Sequence, residues 1–418
     1  MTRKMKDSGI EWIGEIPEGW EVLAHKYIMH KEKSICEHYN GEDVISLTLN
    51  GVVKRDLENP SGKMPTTFDG YQFVDPNDLL LCLFDIDVTP RCVGLVKDYG
   101  VTSPAYSRFK IHSGFCNAYY NYLLRFIDDE KVFVHLSKNL RSSLTESDFG
   151  AIKTIVPPKA EQQRIADYLD NRTFEIDTLL SKARSSIEEY KKLKQAVITQ
   201  AVTKGVRGER EMKDSGIEWI GEIPVDWTIQ RFARVAEVKS NLVSPDNYLE
   251  YPQISPENIE KDSGKLLLPC KTVAEVGVIS GNHLFYKGQI LYSKIRPKLN
   301  KVCIAPFDGL CSADMYPIET NNDTRYIMYC ILSNGFLQQV SMITENRVKM
   351  PKINQVELSK ILVALPCFLA EQKEIADYLD VKCAEIDKLI AKKEQLVKEL
   401  EIYKKSLIYE VVTGKREV

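Results

Sequence analysis

The sequence carries one stretch of thirteen residues twice, and this repetition constrains the fold more than any other feature. The stretch MKDSGIEWIGEIP occupies residues 5–17 and recurs without a change at residues 212–224. A second pair follows, because EQQRIADYLDNRTFEIDTLL at 161–180 aligns without a gap with EQKEIADYLDVKCAEIDKLI at 371–390. This period is too long for a solenoid repeat. The sequence therefore predicts a duplicated domain and a molecule with pseudo-two-fold symmetry.

Each copy ends in a segment whose apolar residues follow a helical period. Spacings of four and seven between them are typical of a coiled-coil seam. The predicted seam residues are Ile165, Leu169, Ile176, Leu180 and Ile187 in the first copy and Leu379, Ile386, Leu400 and Leu407 in the second. Two matching helices of about forty residues favour an antiparallel pair over ordinary packing of one helix on a core.

The two regions before the helices, residues 20–157 and 227–367, differ strongly from each other. Both are rich in β-branched and aromatic residues with frequent turn residues, which predicts mixed α+β domains with strands near 78–84 and 289–295. Arg91 aligns with Lys301, and Ser103 with Ser312. The predicted division is an anchor motif with a first domain (1–157), a helix (158–208), a second motif with a second domain (209–367) and a second helix (368–418).

Composition bounds the class of protein. Hydrophobic residues make up 44% and charged residues 28% of the chain, and the formal net charge is −3. A stand-alone nucleic-acid binder is usually basic, so a DNA-binding role requires local basic patches or basic partners. No apolar run reaches 18 residues, the N-terminus does not resemble a secretory signal, and the ten cysteines form no CxxC pair. These features predict a cytoplasmic protein with reduced thiols.

Motifs for catalysis are not found in the sequence. It holds no GxxxxGK[ST] or GxGxxG loop, no metal-binding histidine spacing and no Asn-Pro-Pro-aromatic motif of amino-methyltransferases. Asp85 and Asp87 are interpreted as a turn after a strand rather than a metal site. Cys311 has no histidine near it in the sequence to activate it as a nucleophile. No catalytic residue and no metal ligand is therefore predicted.

The whole chain resembles the specificity subunit of a type I restriction–modification system. The resemblance rests on the doubled SGIEWIGEIP stretch, the AEQxxIADYLDxxxxEIDxL helix starts and the order of variable domain and then helix, twice over. It implies that each variable region is a target recognition domain that reads one half of a split site in double-stranded DNA. It also implies a non-catalytic chain whose helices dock two methyltransferase subunits and, through them, restriction subunits. S-adenosylmethionine, ATP and Mg are then expected on the partners.

Two other classes of protein stay open at this point. One is a two-domain coiled-coil scaffold that binds protein or RNA, and the other is a self-contained enzyme. The basic segments favour nucleic acid over the scaffold, and the missing catalytic motifs disfavour the enzyme.

Basic segments supply the candidate DNA contacts. In residues 286–303, Lys294, Arg296 and Lys298 would alternate onto one face of an extended strand. Arg296 could read guanine through its planar fork and Asn300 could pair with adenine, whereas the alternative is a solvated strand edge. The full set of candidates is Lys54, Arg55, Arg91, Ser103, Tyr106, Arg108, Lys138, Arg141, Lys294, Arg296, Lys298, Asn300, Lys301, Ser312, Arg347, Lys349 and Lys352.

The repeated stretch itself is predicted to be an anchor, with contact to a partner as the alternative. Its second copy directly follows the first helix. By symmetry, the first copy should lie at the end of the second helix, which would place the N-terminus beside the C-terminus.

Overall fold

The computed structural model describes residues 3–49, 51–60, 65–137, 142–345, 347 and 349–418. The chain divides into two compact units. Unit 1 comprises Met1–Ala183 and Leu396–Val418, and unit 2 comprises Arg184–Gln395. The division falls inside both long helices, α4 (Lys159–Lys204) and α10 (Leu369–Val412), so each unit combines the first part of one helix with the last part of the other.

Unit 1 contains a mixture of short strands and helices. Its strands are β1 Met5–Asp7, β2 Glu15–Pro17, β3 Glu21–Ala24, β4 Met29–Lys31, β5 Val44–Thr48, β6 Gly51–Lys54, β7 Gln72–Val74, β8 Leu79–Leu81, β9 Val93–Leu95, β10 Gly100–Thr102, β11 Ser107–Ile111 and β12 Lys153–Val156. Its shorter helices are α1 Asn117–Asp129, α2 Val132–Leu136 and α3 Glu146–Ala151, with a 3-10 turn at His25–Tyr27.

Unit 2 likewise contains a mixture of short strands and short helices. Its strands are β13 Met212–Asp214, β14 Glu222–Pro224, β15 Thr228–Arg231, β16 Glu237–Val238, β17 Leu242–Val243, β18 Gln253–Ile254, β19 Asn282–Phe285, β20 Ile290–Ser293, β21 Val302–Ile304, β22 Gly309–Cys311, β23 Met315–Glu319 and β24 Leu362–Leu365. Its shorter helices are α5 Phe232–Val235, α6 Val273–Val276, α7 Thr324–Leu332, α8 Asn334–Thr344 and α9 Gln355–Ser359, with 3-10 turns at Pro245–Asn247, Pro256–Asn258 and Pro297–Leu299.

The two units share one sheet topology. The sheet β4-β11-β8-β9 of unit 1 has the same order and antiparallel pairing as β16-β23-β20-β21 of unit 2. A second sheet in each unit holds a parallel pair beside an antiparallel strand, β5-β10-β7 and β18-β22-β19. Gly100 and Gly309 mark the same place in these pairs, since a Cβ at either one would overlap the carbonyl of Asp43 or Pro252.

The long helices pair in an antiparallel manner within each unit. In unit 1, Ile165 and Leu180 in the first half of α4 share a core with Leu407 near the end of α10. In unit 2, Ile198 near the end of α4 shares a core with Leu379 near the start of α10. The predicted seam residues are buried, apart from Leu400, which is half-buried against the unit 1 core.

Each repeated stretch forms a β-hairpin against a helix end. In unit 1, Lys415 Nζ donates a hydrogen bond to the Ile13 carbonyl at 2.8 Å, and Tyr119 Oη donates to the Val412 carbonyl at 2.9 Å. Gly414 packs on Trp20 as Gly205 packs on Trp227 in unit 2. The predicted proximity of the N-terminal motif and the C-terminus is confirmed. So is the predicted fold class of two mixed α/β domains with a pair of long antiparallel helices.

A junction cluster joins each hairpin to its helix. We define it as Arg3, Trp20, Glu161 and Gln162 in unit 1 and as Arg210, Trp227, Glu371 and Gln372 in unit 2. The indole N–H donates to the glutamate in both, Trp20 to Glu161 at 3.0 Å and Trp227 to Glu371 at 3.2 Å. The arginine pairs with the same glutamate, at 2.6 Å in unit 1 and 2.5 Å in unit 2. The same tryptophan–glutamate and arginine–glutamate contacts therefore join each hairpin to its helix.

Candidate nucleic-acid interface

The basic loop of unit 2, residues 294–301, is a turn and not the strand that the sequence predicts. Strand β20 ends at Ser293, and the chain then enters a 3-10 turn at Pro297–Leu299. Arg296 and Asn300 flank this turn with left-handed backbone, at φ +45° and +43°. Pro297 lacks the N–H that a sheet ladder requires, so pairing stops before it. The expected alternation of Lys294, Arg296 and Lys298 on one strand face is therefore wrong.

A second basic segment lies directly beside this loop. The Arg296 amide donates to the Pro351 carbonyl at 2.8 Å, and the Ile353 amide donates to the Lys294 carbonyl at 2.9 Å. Ile295 and Lys352 form an isolated antiparallel bridge. Two basic clusters about fifty residues apart in the sequence thus form one surface. We call the side chains of Lys294, Arg296, Lys298, Lys349 and Lys352 the basic surface.

The members of the basic surface differ in how free their charges are. Arg296, Lys298 and Lys349 are exposed and make no ion pair with any residue that the structure describes. The Lys294 ammonium lies 5.1 Å from the ring centre of Tyr316, and Lys352 pairs with Asp314 at 3.0 Å. The three free cations are therefore the strongest candidates for contact with a polyanion.

Other candidates near this surface are occupied by contacts within the protein. Arg347 is held by Glu357, Lys301 Nζ donates to the Pro256 carbonyl at 2.7 Å, and Ser312 Oγ accepts from the Asp314 amide at 3.2 Å. Asn300 is only 1% exposed and donates to the Leu332 carbonyl at the end of α7 at 3.3 Å. The adenine-reading role for Asn300 is therefore wrong, because its amide is buried in a helix cap.

The equivalent loop of unit 1, residues 83–91, has the opposite character. Its backbone is held in the same way, since the Leu144 amide donates to the Leu83 carbonyl at 2.8 Å. The exposed side chains of this loop include Phe84, Asp85, Asp87 and Val88, with Val88 73% exposed. The candidates Lys138 and Arg141 lie outside the described residues. One scaffold thus presents a basic loop in unit 2 and an acidic and apolar loop in unit 1.

Arg91 is a structural residue in this arrangement. Its side chain is 12% exposed and pairs with Asp129 at 2.9 Å, at the end of α1. Equivalent backbone bonds, Cys82 amide to Cys92 carbonyl and Ser293 amide to Lys301 carbonyl, place Cys92 opposite Lys301. The predicted match of Arg91 with Lys301 is therefore wrong by one position. Arg91 corresponds to Asn300, and both contact the last turn of a helix.

Arg108 lies in the core of unit 1. Its side chain is 2% exposed and pairs with Asp75 and Asp78, both at 2.5 Å, while Nη1 donates to the Phe73 carbonyl at 3.0 Å. A guanidinium with these partners cannot reach a nucleic acid without breaking them. The DNA-contact role for Arg108 is wrong, and its function is to hold β11 against the β7–β8 turn.

The remaining unit 1 candidates lie near strand β6 and the turn before β11. Lys54 is exposed and pairs with Asp43 at 2.6 Å, and Arg55 is half-buried beside it. Ser103 and Tyr106 are half-buried in a turn whose carbonyls both accept from Gln72 Nε2, at 3.1 and 2.6 Å. A DNA contact by these four residues stays a prediction.

Sequence analysis missed two buried polar residues at equivalent positions, of which Gln72 supports the turn at Ser103–Tyr106. Gln72 and His283 occupy the same position in β7 and β19, opposite Thr102 and Cys311. His283 is 4% exposed, and its Nδ1 has no partner among the described residues. Burial and the nearby charge of Lys294 lower the pKa of His283. The available signal was a polar residue next to a short apolar run, Phe73-Val74 in unit 1 and Leu284-Phe285 in unit 2.

The described residues hold no group of three or more His, Cys, Asp or Glu side chains able to bind a metal ion. Burial raises the pKa of the Cys311 thiol far above its usual range, which disfavours the reactive thiolate. In the part of the chain that the structure covers, no helix is both long and apolar enough to span a bilayer.

Known proteins match both the sequence and the fold. Residues 224–399 match the family model described as the type I restriction modification DNA specificity domain. The chain is 37% identical over 247 residues to the type I restriction enzyme EcoDI specificity subunit of Escherichia coli, covering 56% of this chain and 55% of that protein. It is 26% identical over 439 residues to the putative type I restriction enzyme MjaX specificity subunit of Methanocaldococcus jannaschii, covering 97% and 96%.

Solved structures share the fold. A chain from work on complex assembly and conformational transition of the type I R-M system has a TM-score of 0.70 at 14% identity, covering 96% of this chain and 99% of that one. The HsdS subunit from Thermoanaerobacter tengcongensis has a TM-score of 0.50 at 14% identity, covering 96% and 98%. The chain is thus similar in sequence, over residues 224–399, to type I restriction modification DNA specificity domains and shares its fold with the two solved chains, and it spans about half the length of the Escherichia coli relative.

Proposed function

We propose that this chain is the sequence-reading subunit of a type I restriction–modification complex, in which each unit reads one half of a split DNA site. The observation that carries the proposal is the contrast between the two equivalent loops. Residues 83–91 and 294–301 follow the same strand of the same sheet and have the same backbone support, yet one is acidic and apolar and the other is basic. A shared scaffold with different loop chemistry suits two half-sites of different sequence.

In unit 2 the basic surface is the proposed DNA contact. Lys298 and Lys349 are suited to phosphates, which supply affinity that falls with rising salt. Arg296 presents a planar fork that can form two hydrogen bonds with guanine in the major groove, and such base contacts set the sequence that is read.

The chemistry of modification belongs to partner subunits in this proposal. The chain is non-catalytic and docks two methyltransferase subunits that bind S-adenosylmethionine, and through them restriction subunits that use ATP and Mg. A net charge of −3 leaves much of the attraction to DNA to those partners. Methylation of an adenine requires the base to leave the helix, so the role of this chain is to place a partner's pocket over the correct base.

Long-read sequencing of methylated adenines tests this directly. We expect a host that expresses this chain with its methyltransferase to methylate one split motif, and a host with the methyltransferase alone to lack that methylation. A binding assay on random duplexes, with single-stranded RNA of equal length as competitor, adds a second readout. Absence of any sequence preference in the mixture, or stronger binding to the RNA, would contradict the proposal.

A further inference from the structure

Two cavities border the repeated stretch, one in each unit. The unit 1 cavity has a volume of about 930 Å³, and Glu11, Trp12 and Ile402 are among its lining residues. The unit 2 cavity has a volume of about 580 Å³, and Glu218, Trp219 and Met342 are among its lining residues. The same Glu-Trp pair of the repeated stretch thus forms part of both walls.

The tryptophans at these cavities have an unmet hydrogen bond. The indole N–H groups of Trp12 and Trp219 are buried, and neither has an acceptor among the described residues. The other tryptophan of each unit is satisfied, because Trp20 and Trp227 donate to glutamates of the junction clusters. Buried N–H groups are nearly always paired in a folded protein. An acceptor from outside the chain would complete both sites.

The rims combine exposed apolar side chains with carboxylates. Ile402 is 59% exposed at the unit 1 cavity, and Met342 is 62% exposed at the unit 2 cavity. Two exposed carboxylates line each cavity and form no ion pair with any described residue: Glu11 and Glu130 in unit 1 and Glu218 and Glu345 in unit 2. One lysine lines each, Lys405 and Lys298, so each cavity carries a formal charge of −1 from its Glu and Lys side chains.

We propose that the two cavities are equivalent docking sites for an amphipathic, basic segment of a partner protein, one copy at each. Apolar side chains of the segment pack on the tryptophan and on Ile402 or Met342, and a Lys or Arg lies between the two carboxylates. A carbonyl of the segment accepts from the indole N–H. The two carboxylates disfavour a nucleic-acid phosphate inside each cavity, and Lys298, which also belongs to the basic surface, marks where the unit 2 cavity borders the proposed DNA contact. The identity of the two motifs favours two copies of one partner. Naming that partner as the methyltransferase subunit rests on the proposed function.

Charge reversal at the carboxylates tests the proposal. Purified full-length chain is mixed with the purified methyltransferase subunit of the same system, and native mass spectrometry counts bound copies while calorimetry gives affinity. We expect Glu11→Lys with Glu130→Lys, and separately Glu218→Lys with Glu345→Lys, to weaken one of the two bound copies by about tenfold or more. The four changes together weaken both copies. Trp12→Phe with Trp219→Phe, which keeps the apolar ring and removes the donor, should weaken both about threefold to tenfold.

The matched control is Glu15→Lys with Glu222→Lys, which changes exposed residues of the same motif that line neither cavity. It should bind two copies as the unchanged chain does. If the four-residue variant also binds two copies with unchanged affinity, the proposed docking sites are wrong. A DNA sequence preference of the unchanged chain with its methyltransferase would still support the proposed function in that case. If the unchanged chain binds no methyltransferase, the choice of partner fails. If the four-residue variant loses self-association, the cavities bind a second copy of this chain. If it loses DNA affinity in the absence of the partner, the cavities bind DNA. Either result would overturn the proposal.

Discussion

At the scale of single residues, Arg296 differs from its neighbours because its exposed side chain starts from a left-handed backbone at φ +45°. We expect Arg296→Ala to relax the sequence read at one half-site and to leave the other half-site unchanged. Arg296→Lys keeps the charge and loses the fork, so it should retain affinity and still lose discrimination, by about 1–3 kcal/mol at one base pair. Methylated-motif sequencing measures both effects.

A matched control is Lys271→Ala, an exposed cation of the same unit outside the basic surface. It should leave the motif unchanged. An equal loss at both half-sites in Arg296→Ala would show that this residue acts on the whole complex rather than on one reader.

Arg108 leads to a different kind of prediction, because its charge is buried with Asp78, whose side chain is 4% exposed. Burial raises the pKa of Asp78, even though Arg108 opposes the shift. Arg108→Met leaves that carboxylate without its partner and should lower the free energy of unfolding of unit 1 by about 3–5 kcal/mol. Trp12 and Trp20 fluorescence in a background of Trp219→Phe and Trp227→Phe reports unit 1 alone during urea unfolding.

Lys54→Met provides the comparison for Arg108→Met. Lys54 also pairs with an aspartate, Asp43, but both side chains are 51% exposed. An exposed ion pair contributes little to stability, so this variant should unfold at the same urea concentration as the unchanged chain. Equal destabilisation by both changes would contradict the structural role of Arg108.

The charged segments of the candidate site were predictable from the sequence, but the burial of individual charges such as Arg108 was not. The basic segments were found, because charge is visible residue by residue. Burial was not visible, since Asp78 approaches Arg108 across thirty residues and paired strands. The contact of residues 294–296 with 351–353 was equally hidden, because it depends on where β20 ends.

At the scale of elements, the junction cluster of unit 1 couples stability to pH. Burial of Glu161 favours its neutral form, but hydrogen bonds from Arg3 and Trp20 and the charge of Arg3 outweigh it and lower the pKa. A carboxylate with a lowered pKa stabilises the fold above its unfolded pKa of 4.5, and this contribution is lost as pH falls through the folded value.

Glu161→Gln should therefore lower the free energy of unfolding by about 1–3 kcal/mol at pH 7. Its difference from the unchanged chain should shrink as pH falls below 4.5, where the unfolded carboxyl is protonated. Urea unfolding at a series of pH values measures the difference. A penalty of the same size at every pH would indicate lost packing rather than lost charge.

The long helices carry a prediction about the DNA gap, which rests on the proposed function. One heptad inserted after Ala183 and one after Gln395 preserves the apolar period of both helices. Seven residues add about 10.5 Å of helix, which corresponds to about three base pairs at 3.4 Å each. We expect the unread gap of the methylated motif to lengthen by about three base pairs with both half-sites unchanged. A motif of unchanged gap would show that these helices do not set the spacing.

The long helices were predicted more accurately than the strands, because their apolar pattern repeats over more residues. The seam residues run from Ile165 to Ile187 in α4 and from Leu379 to Leu407 in α10, and both helices were expected close to their observed bounds. The strands were expected at 78–84 and 289–295 but span Leu79–Leu81 and Ile290–Ser293. Short apolar runs reveal that a strand exists and do not reveal where its ladder of hydrogen bonds ends.

At the scale of the whole molecule, the closure of the chain in unit 1 predicts a tolerated circular permutation. Residues 414–418 and 1–4 together supply nine residues between Thr413 and Met5, where unit 2 uses eight between Thr203 and Met212. We expect a chain that joins Val418 to Met1 and opens between the exposed Gly208 and Glu209 to methylate the same split motif. Circular dichroism should show an unchanged helix content.

A suitable comparison opens the chain between Leu80 and Leu81 inside the buried strand β8. That permutation breaks a central strand and should not fold. An unfolded first permutant would contradict the closure, whereas folding of both would show that chain order is irrelevant to this fold.

The duplication was evident in the sequence, but the shared topology of the two variable domains was not. Their sheets have the same order although their sequences are only faintly alike, because buried strands such as β8 and β20 retain apolar character while exposed loops vary. The boundary between the two compact units inside the helices also had no sequence signal, since no Gly or Pro lies near it.

The two glutamines of the junction clusters have a consequence for the evolution of specificity. Gln162 donates to the Pro157 carbonyl and accepts from the Cys116 amide, both at 2.8 Å. Gln372 makes the same pair of bonds, to the Pro366 carbonyl at 3.2 Å and from the Asp323 amide at 3.0 Å. All four partners are main-chain atoms, which non-proline substitutions of side chains leave in place. Side-chain substitutions in the domain before each helix therefore leave these four bonds in place. Under the proposed function, recognition can then change in evolution while this part of the attachment is kept.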